Sequence, residues 1–201
     1  MKVLLLVVPL TLAVVGCHLF SHEAVKPPPA ASGPAPVRPG VIAISPANTT
    51  IAFTGSTALA SQSGHFAAFD GTLELPTDDP KDLKVRVSVD MDSTTTKIGL
   101  LTRHLKAEDF FDVARYPKAE FVLDGVAPPL DKSANYTVSG QLTLHGVRKA
   151  IAFPATIGVT PDEVTFDATI PLLQTEFGMT EAAKKTKDEV PVTVSIRGRR
   201  R

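Results

Sequence analysis

His104-Leu-Lys-Ala-Glu-Asp-Phe-Phe-Asp-Val-Ala-Arg-Tyr-Pro-Lys-Ala-Glu-Phe121 lies between two segments that alternate apolar and polar residues, and it does not alternate itself. Leading into it, Ile98 and Leu101 fall at helical spacing with Leu105, and Thr94, Thr95 and Thr96 before them are placed to cap a helix. Phe110 and Phe111 then set two large rings side by side, and the acidic residues Glu108, Asp109 and Asp112 around them are placed to cap backbone amides. Tyr116-Pro117 forces an extended turn, because a residue before proline is pushed out of the helical region. The reading is a short helical excursion that interrupts a run of strands and returns to the sheet at Lys118.

Outward from this stretch the period is two. Alternation marks strands over Asn48–Leu59, Gly64–Leu75 and Lys84–Met91 before it. After it come Lys118–Val126, Tyr136–Leu144, Lys149–Val159, Glu163–Ile170 and Val190–Arg197. Lys84–Met91 is the cleanest, with Val85, Val87, Val89 and Met91 opposed to Lys84, Arg86, Ser88 and Asp90. Eight short strands with turn residues between them, each with one apolar face, predict an all-β fold. The form expected is an eight-stranded antiparallel barrel with the helical excursion between strands 3 and 4. Eight strands enclose a space that side chains fill or that holds one small ligand. Gly55, Gly71, Gly140, Ala152 and Ala168 on apolar faces suggest open volume, and strand bending explains such glycines equally well. Gly146, in the tight connection His145-Gly146, is suited to positive φ.

The chain has 201 residues, a formal net charge of zero and a single cysteine. That length is one domain with a tail, and the charge offers no field for nucleic acid. Lys2, the apolar run Val3–Val15 and the small residue Gly16 read as a secretory signal over residues 1–16. Cys17 follows at the cut, and residues 17–40 hold Pro27, Pro28, Pro29, Pro34, Pro36 and Pro39, a semi-rigid tether. The barrel domain then occupies residues 41–201. There is no Gly-x-Ser-x-Gly elbow, phosphate loop or dinucleotide fingerprint, so an enzyme has no nucleophile–base pair to rest on. His104 near Asp109 has no histidine partner at ligand spacing, and no metal or other cofactor is expected.

His104-Leu105, Asp109-Phe110-Phe111-Asp112 and Tyr116-Pro117 with Phe121 resemble the central signature of the YceI-like family. The resemblance continues in Gly64-His-Phe66 with Phe69-Asp-Gly71, in Gly140-Gln-Leu-Thr-Leu-His-Gly146 and in Phe177-Gly178-Met179, and spans roughly residues 44–196. It implies a lipocalin-like, periplasmic barrel that binds a polyisoprenoid lipid. On that implication the channel is expected to be lined by Phe53, Phe69, Val87, Val89, Leu101, Leu105, Phe110, Phe121, Leu142, Phe153 and Phe166. Val14-Val15-Gly16-Cys17 resembles a bacterial lipobox, which makes Cys17 the lipidated residue and ties the domain to a membrane through an acyl anchor. His18 rather than Asp after it favours the outer membrane of a bacterial envelope, with the domain facing the periplasm. Relatives carry an Arg-Asp pair where this chain has Leu101-Thr102, and an Arg where it has Gln174, so a neutral head such as a quinone suits it better than a diphosphate. Some relatives are dimeric, which leaves a homodimer open. The competing reading is a structural or stress-related envelope lipoprotein, its barrel filled by its own side chains and acting through its surface.

Overall fold

The structure, a computed structural model, describes residues 40–130 and 134–200. The expected signal segment, Cys17 and the tether up to residue 39 lie outside the described residues. Eleven antiparallel strands form one sheet: β1 (Val41–Ile44), β2 (Thr49–Ser56), β3 (Ser61–Phe66), β4 (Phe69–Glu74), β5 (Lys84–Asp90), β6 (Thr94–Thr96), β7 (Lys118–Ala127), β8 (Tyr136–Leu144), β9 (Val147–Val159), β10 (Glu163–Leu173) and β11 (Glu189–Arg199). Two helices interrupt it, α1 (Gly99–Lys106) between β6 and β7 and α2 (Thr180–Lys185) between β10 and β11.

Eleven segments reduce to eight long strands, as alternation predicts. β1 and β2 are halves of one strand bent at residues 45–48; β1 pairs with β4, while β2 pairs with β3. β3 and β4 are halves of the next, broken at Ala67-Ala68, and β5 and β6 of the third, broken by a 3-10 turn over Met91–Ser93. From β5 the pairing passes in chain order through β7, β8, β9, β10 and β11, and β11 returns to β2. The sheet thus curls round until last strand meets first, and a barrel-like fold results.

The inner face is set by alternation. Ile51 and Phe53, Val85, Val138, Phe153 with Ala155 and Ile157, Val164 with Phe166, and Ile196 are all buried. Each buried Val, Ile or Phe among these contributes about 1.5–3 kcal/mol relative to remaining in water. A second apolar cluster, with Met91, Phe110, Phe177 and Met179 in it, gathers where the excursion and α2 meet the sheet.

The structure corrects several local expectations. Thr94–Thr96 is strand β6, paired with β3; the N-cap residue of α1 is Ile98, which makes no side-chain cap hydrogen bond, and of the threonines Thr96 comes nearest to capping, its hydroxyl accepting from the Ile98 amide at 3.2 Å. Among the described residues Asp109 caps no amide; its carboxylate pairs with Lys185 of α2. Ala152 points outward and is exposed. Gly140 does not leave open volume: a Cβ there would stand 2.5 Å from the Phe121 ring, so its missing side chain is the space that ring occupies. Gly64 likewise admits the ring of Phe53. At Gly55 a Cβ would meet nothing within 4 Å.

Candidate functional site

The barrel interior is not wholly filled. A cavity of about 180 Å³ runs among 28 lining residues, of which all but Gln174 and Thr186 are apolar or glycine. An apolar void of about 150 Å³ in another protein stays dry and takes up benzene, so a space of this size and lining excludes water and favours hydrocarbon.

Each wall is built by the alternation of its strand. Phe53 enters from β2, Val87 and Val89 from β5, Phe121 from β7, Leu142 from β8, Phe153 from β9 and Phe166 from β10. Leu105 comes from α1, and Phe110 from the loop after it. Nine of the eleven residues expected at the channel are thereby brought to one cavity. Phe69 and Leu101 are not. Phe69 is buried in the core on β4 without reaching the cavity wall, and Leu101 is half-buried on α1. Leu101 shares a helix face with Leu105 at i, i+4, but it sits one turn nearer the start of α1, and of the two only Leu105 reaches the cavity wall.

Rings dominate two places on the wall. Phe53 and Phe66 lie 5.4 Å apart between centroids, and the Phe111 ring meets Phe53 edge-on at 5.7 Å. The excursion is pinned to β2 and β3 by that three-ring contact, since offset and edge-to-face pairs are the favoured geometries. Phe121 and Phe153, from β7 and β9, lie 5.9 Å apart. The β9–β10 ladder ends at Ala155↔Ala168, although β10 runs on to Leu173 and β9 runs back to Val147. Ile151, Ile170 and Leu172, beyond that point, still line the cavity. Where these two strands part, backbone pairing does not seal the wall.

The family model described as the YceI-like domain matches residues 43–197. The chain belongs to the YceI-like family. Its relatives include a UPF0312 protein of Pseudomonas putida (strain F1), 32% identical over 141 residues, 67% of this chain and 72% of the relative. Protein YceI of Salmonella arizonae is 28% identical over the same shares of each chain. Among solved structures, Burkholderia cenocepacia BcnA matches with a TM-score of 0.68 at 21% identity, over 76% of this chain and 98% of that one. A polyisoprenoid binding domain from Saccharophagus degradans, implicated in plant cell wall breakdown, matches with a TM-score of 0.63 at 14% identity, over 82% and 100%. At these identities the structural likeness speaks for the fold alone.

Within this YceI-like barrel, the signature residues act as joints. His145, with φ of 51°, and Gly146, with φ of 74°, turn β8 into β9. His145 Nδ1 lies 3.2 Å from the Phe177 carbonyl, its ring centroid is 4.2 Å from that of Tyr116, and its Nε2 is buried without a partner among the described residues. A Cβ on Gly146 would stand 2.6 Å from Tyr116. The turn, the Tyr116-Pro117 corner and the Phe177-Gly178 turn thus form one packed junction, consistent with His145 as a turn residue. Asp188 accepts hydrogen bonds from Thr175 Oγ1 at 2.6 Å and Thr175 N at 2.8 Å, and these hold its carboxyl below the usual carboxylate range. The Lys185 ammonium hydrogen-bonded to Asp109 does the same for that carboxyl.

Sequence reasoning missed Phe66, Met179 and the β11 residues Val190, Val192, Val194 and Ile196. The β11 residues were within its reach, since they alternate without interruption. Phe66 was not. It is three residues from Phe69, an odd interval that strict alternation assigns to opposite faces, and only the break at Ala67-Ala68 turns both inward. Among the described residues there is no cluster of three or more His, Cys, Asp or Glu that could hold a metal, and no helix long and apolar enough to cross a membrane.

Proposed function

We propose that the protein is an envelope lipoprotein that holds a long-chain isoprenoid, a polyisoprenoid or an isoprenoid quinone, in the barrel interior, anchored through acylated Cys17. The observation that carries this reading is the cavity: apolar except at Gln174 and Thr186, lined by several aromatic side chains and free of charged lining residues. Membership of the YceI-like family supports it, as does the fold shared with a polyisoprenoid binding domain. The mechanism is burial. Each methylene moved out of water contributes about 0.8 kcal/mol, so a tail of roughly forty carbons would nominally yield some 30 kcal/mol, beyond the practical ceiling near 20. Ordering of the tail and its incomplete enclosure in a cavity of about 180 Å³ offset the difference. The parting of β9 from β10 gives the rest of a long tail a way through the wall.

Gly55→Leu tests the reading. The new side chain enters open cavity, so the protein folds at least as stably as before, and the amount of isoprenoid co-extracted with the purified protein drops. Undiminished isoprenoid in a folded Gly55→Leu protein contradicts the assignment of the cavity as its site.

A further inference from the structure

Gln174 and Thr186 are the two polar side chains on a lining that holds no Lys, Arg, His, Asp or Glu among the described residues. Gln174 opens the 3-10 turn after β10 and is 7% exposed; Thr186 follows α2. The Gln174 Nε2 donates to Thr186 Oγ1 at 3.0 Å and to the Lys187 carbonyl at 2.7 Å, with the Asp188 carbonyl at 3.4 Å. Backbone carbonyls only accept, so they fix which end of the amide is nitrogen. Thr186 Oγ1 in turn donates to the Ala182 carbonyl at 3.1 Å. Both amide hydrogens and the hydroxyl hydrogen are therefore engaged within the protein.

The capacity left over is of one kind. Gln174 Oε1 accepts no hydrogen bond from the described residues. Nor is it sealed away: the buried side-chain atom without a partner among the described residues is His145 Nε2. Gln174 lines the apolar cavity, and its unpaired carbonyl oxygen can only accept, so the partner it recognises is a donor. A quinone carbonyl or an ether has no hydrogen to give it. A diphosphate would bring charge to a lining with no cation, at a large desolvation cost.

We propose that Gln174 Oε1 is the head-group site of this cavity and that it takes the O–H of an uncharged head on an isoprenoid chain. This rests on the isoprenoid reading and narrows it. Two molecules carry the required chemistry, an isoprenoid alcohol and a quinol.

The test is equilibrium binding to the full-length protein in detergent, with geranylgeraniol against its methyl ether and decylubiquinol against decylubiquinone. A neutral hydrogen bond corresponds to about a fivefold difference in affinity, so the O–H member of a pair binds about fivefold tighter, and in Gln174→Met the ratio falls to about one. A preference confined to one pair also supports the site and names the alcohol or the quinol as its source. Equal affinities within both pairs in the unaltered protein overturn the proposal while leaving isoprenoid binding intact. So does a preference undiminished in Gln174→Met. Binding of none of the four overturns both readings. Where Gln174→Met does not fold, the ratios in the unaltered protein decide.

Discussion

Gly146 shows how a single residue fixes a joint in this fold. Its φ of 74° and the Tyr116 ring 2.6 Å from where a Cβ would sit leave no room for a side chain. Gly146→Ala is therefore expected to lower stability by at least about 1 kcal/mol, read as a lower urea midpoint with an unchanged slope. Asp188 makes a second prediction at this scale. Its pKa is depressed in the folded state by the Thr175 hydrogen bonds, so its stabilisation is present above the ordinary value of about 3.9 and is lost as pH falls through the folded value. Asp188→Asn should thus reduce the thermal midpoint at neutral pH, with the gap to the unaltered protein closing as the pH drops below about 4. A gap independent of pH contradicts the assignment. Neither residue's partner was legible in the sequence. The positive φ at Gly146 was, because a His-Gly pair between two alternating runs calls for it; the ring that closes on Gly146 comes from Tyr116, thirty residues away along the chain.

At the scale of elements, alternation located the strands well wherever one strand runs unbroken. β8 and the starts of β5, β7 and β10 fall where the pattern places them, and the excursion before Lys118 is where its loss of alternation says. The misses share one cause. Breaks at residues 45–48, 67–68 and 91–93 divide three long strands, shift their facing, and add β1 and β6 as separate segments. Such breaks come from the curvature needed to close a sheet, which is a property of all the strands together and leaves little trace in any one. The two helical segments meet through the Lys185–Asp109 ion pair, whose side chains are 42% and 43% exposed. Lys185 also lies 5.7 Å over the Phe110 ring. Exposed pairs of this kind contribute at most about 1 kcal/mol, so Lys185→Met should lower the unfolding free energy obtained by chemical denaturation by less than that. A larger loss would show that the pair, rather than the apolar packing of Phe110 and Met179, holds the excursion against α2.

For the whole molecule, sequence patterning foretold a barrel and left open whether it was filled. Cavity volume depends on how rings interdigitate: Phe121 fills the notch at Gly140 and Phe53 the notch at Gly64, while Gly55 faces open space, and a one-dimensional pattern cannot distinguish these glycines. The strands that line the space agree with the family resemblance, whereas Phe69 and Leu101 show the limits of naming lining residues from facing alone. The central claim is that the space holds an isoprenoid. Native mass spectrometry of the full-length protein, purified from a bacterial envelope and followed by organic extraction, tests it most directly. A bound species of isoprenoid mass, released on unfolding and recovered in the extract, is the predicted result. A mass equal to the acylated chain alone, unchanged after incubation with polyprenols and isoprenoid quinones, would contradict it.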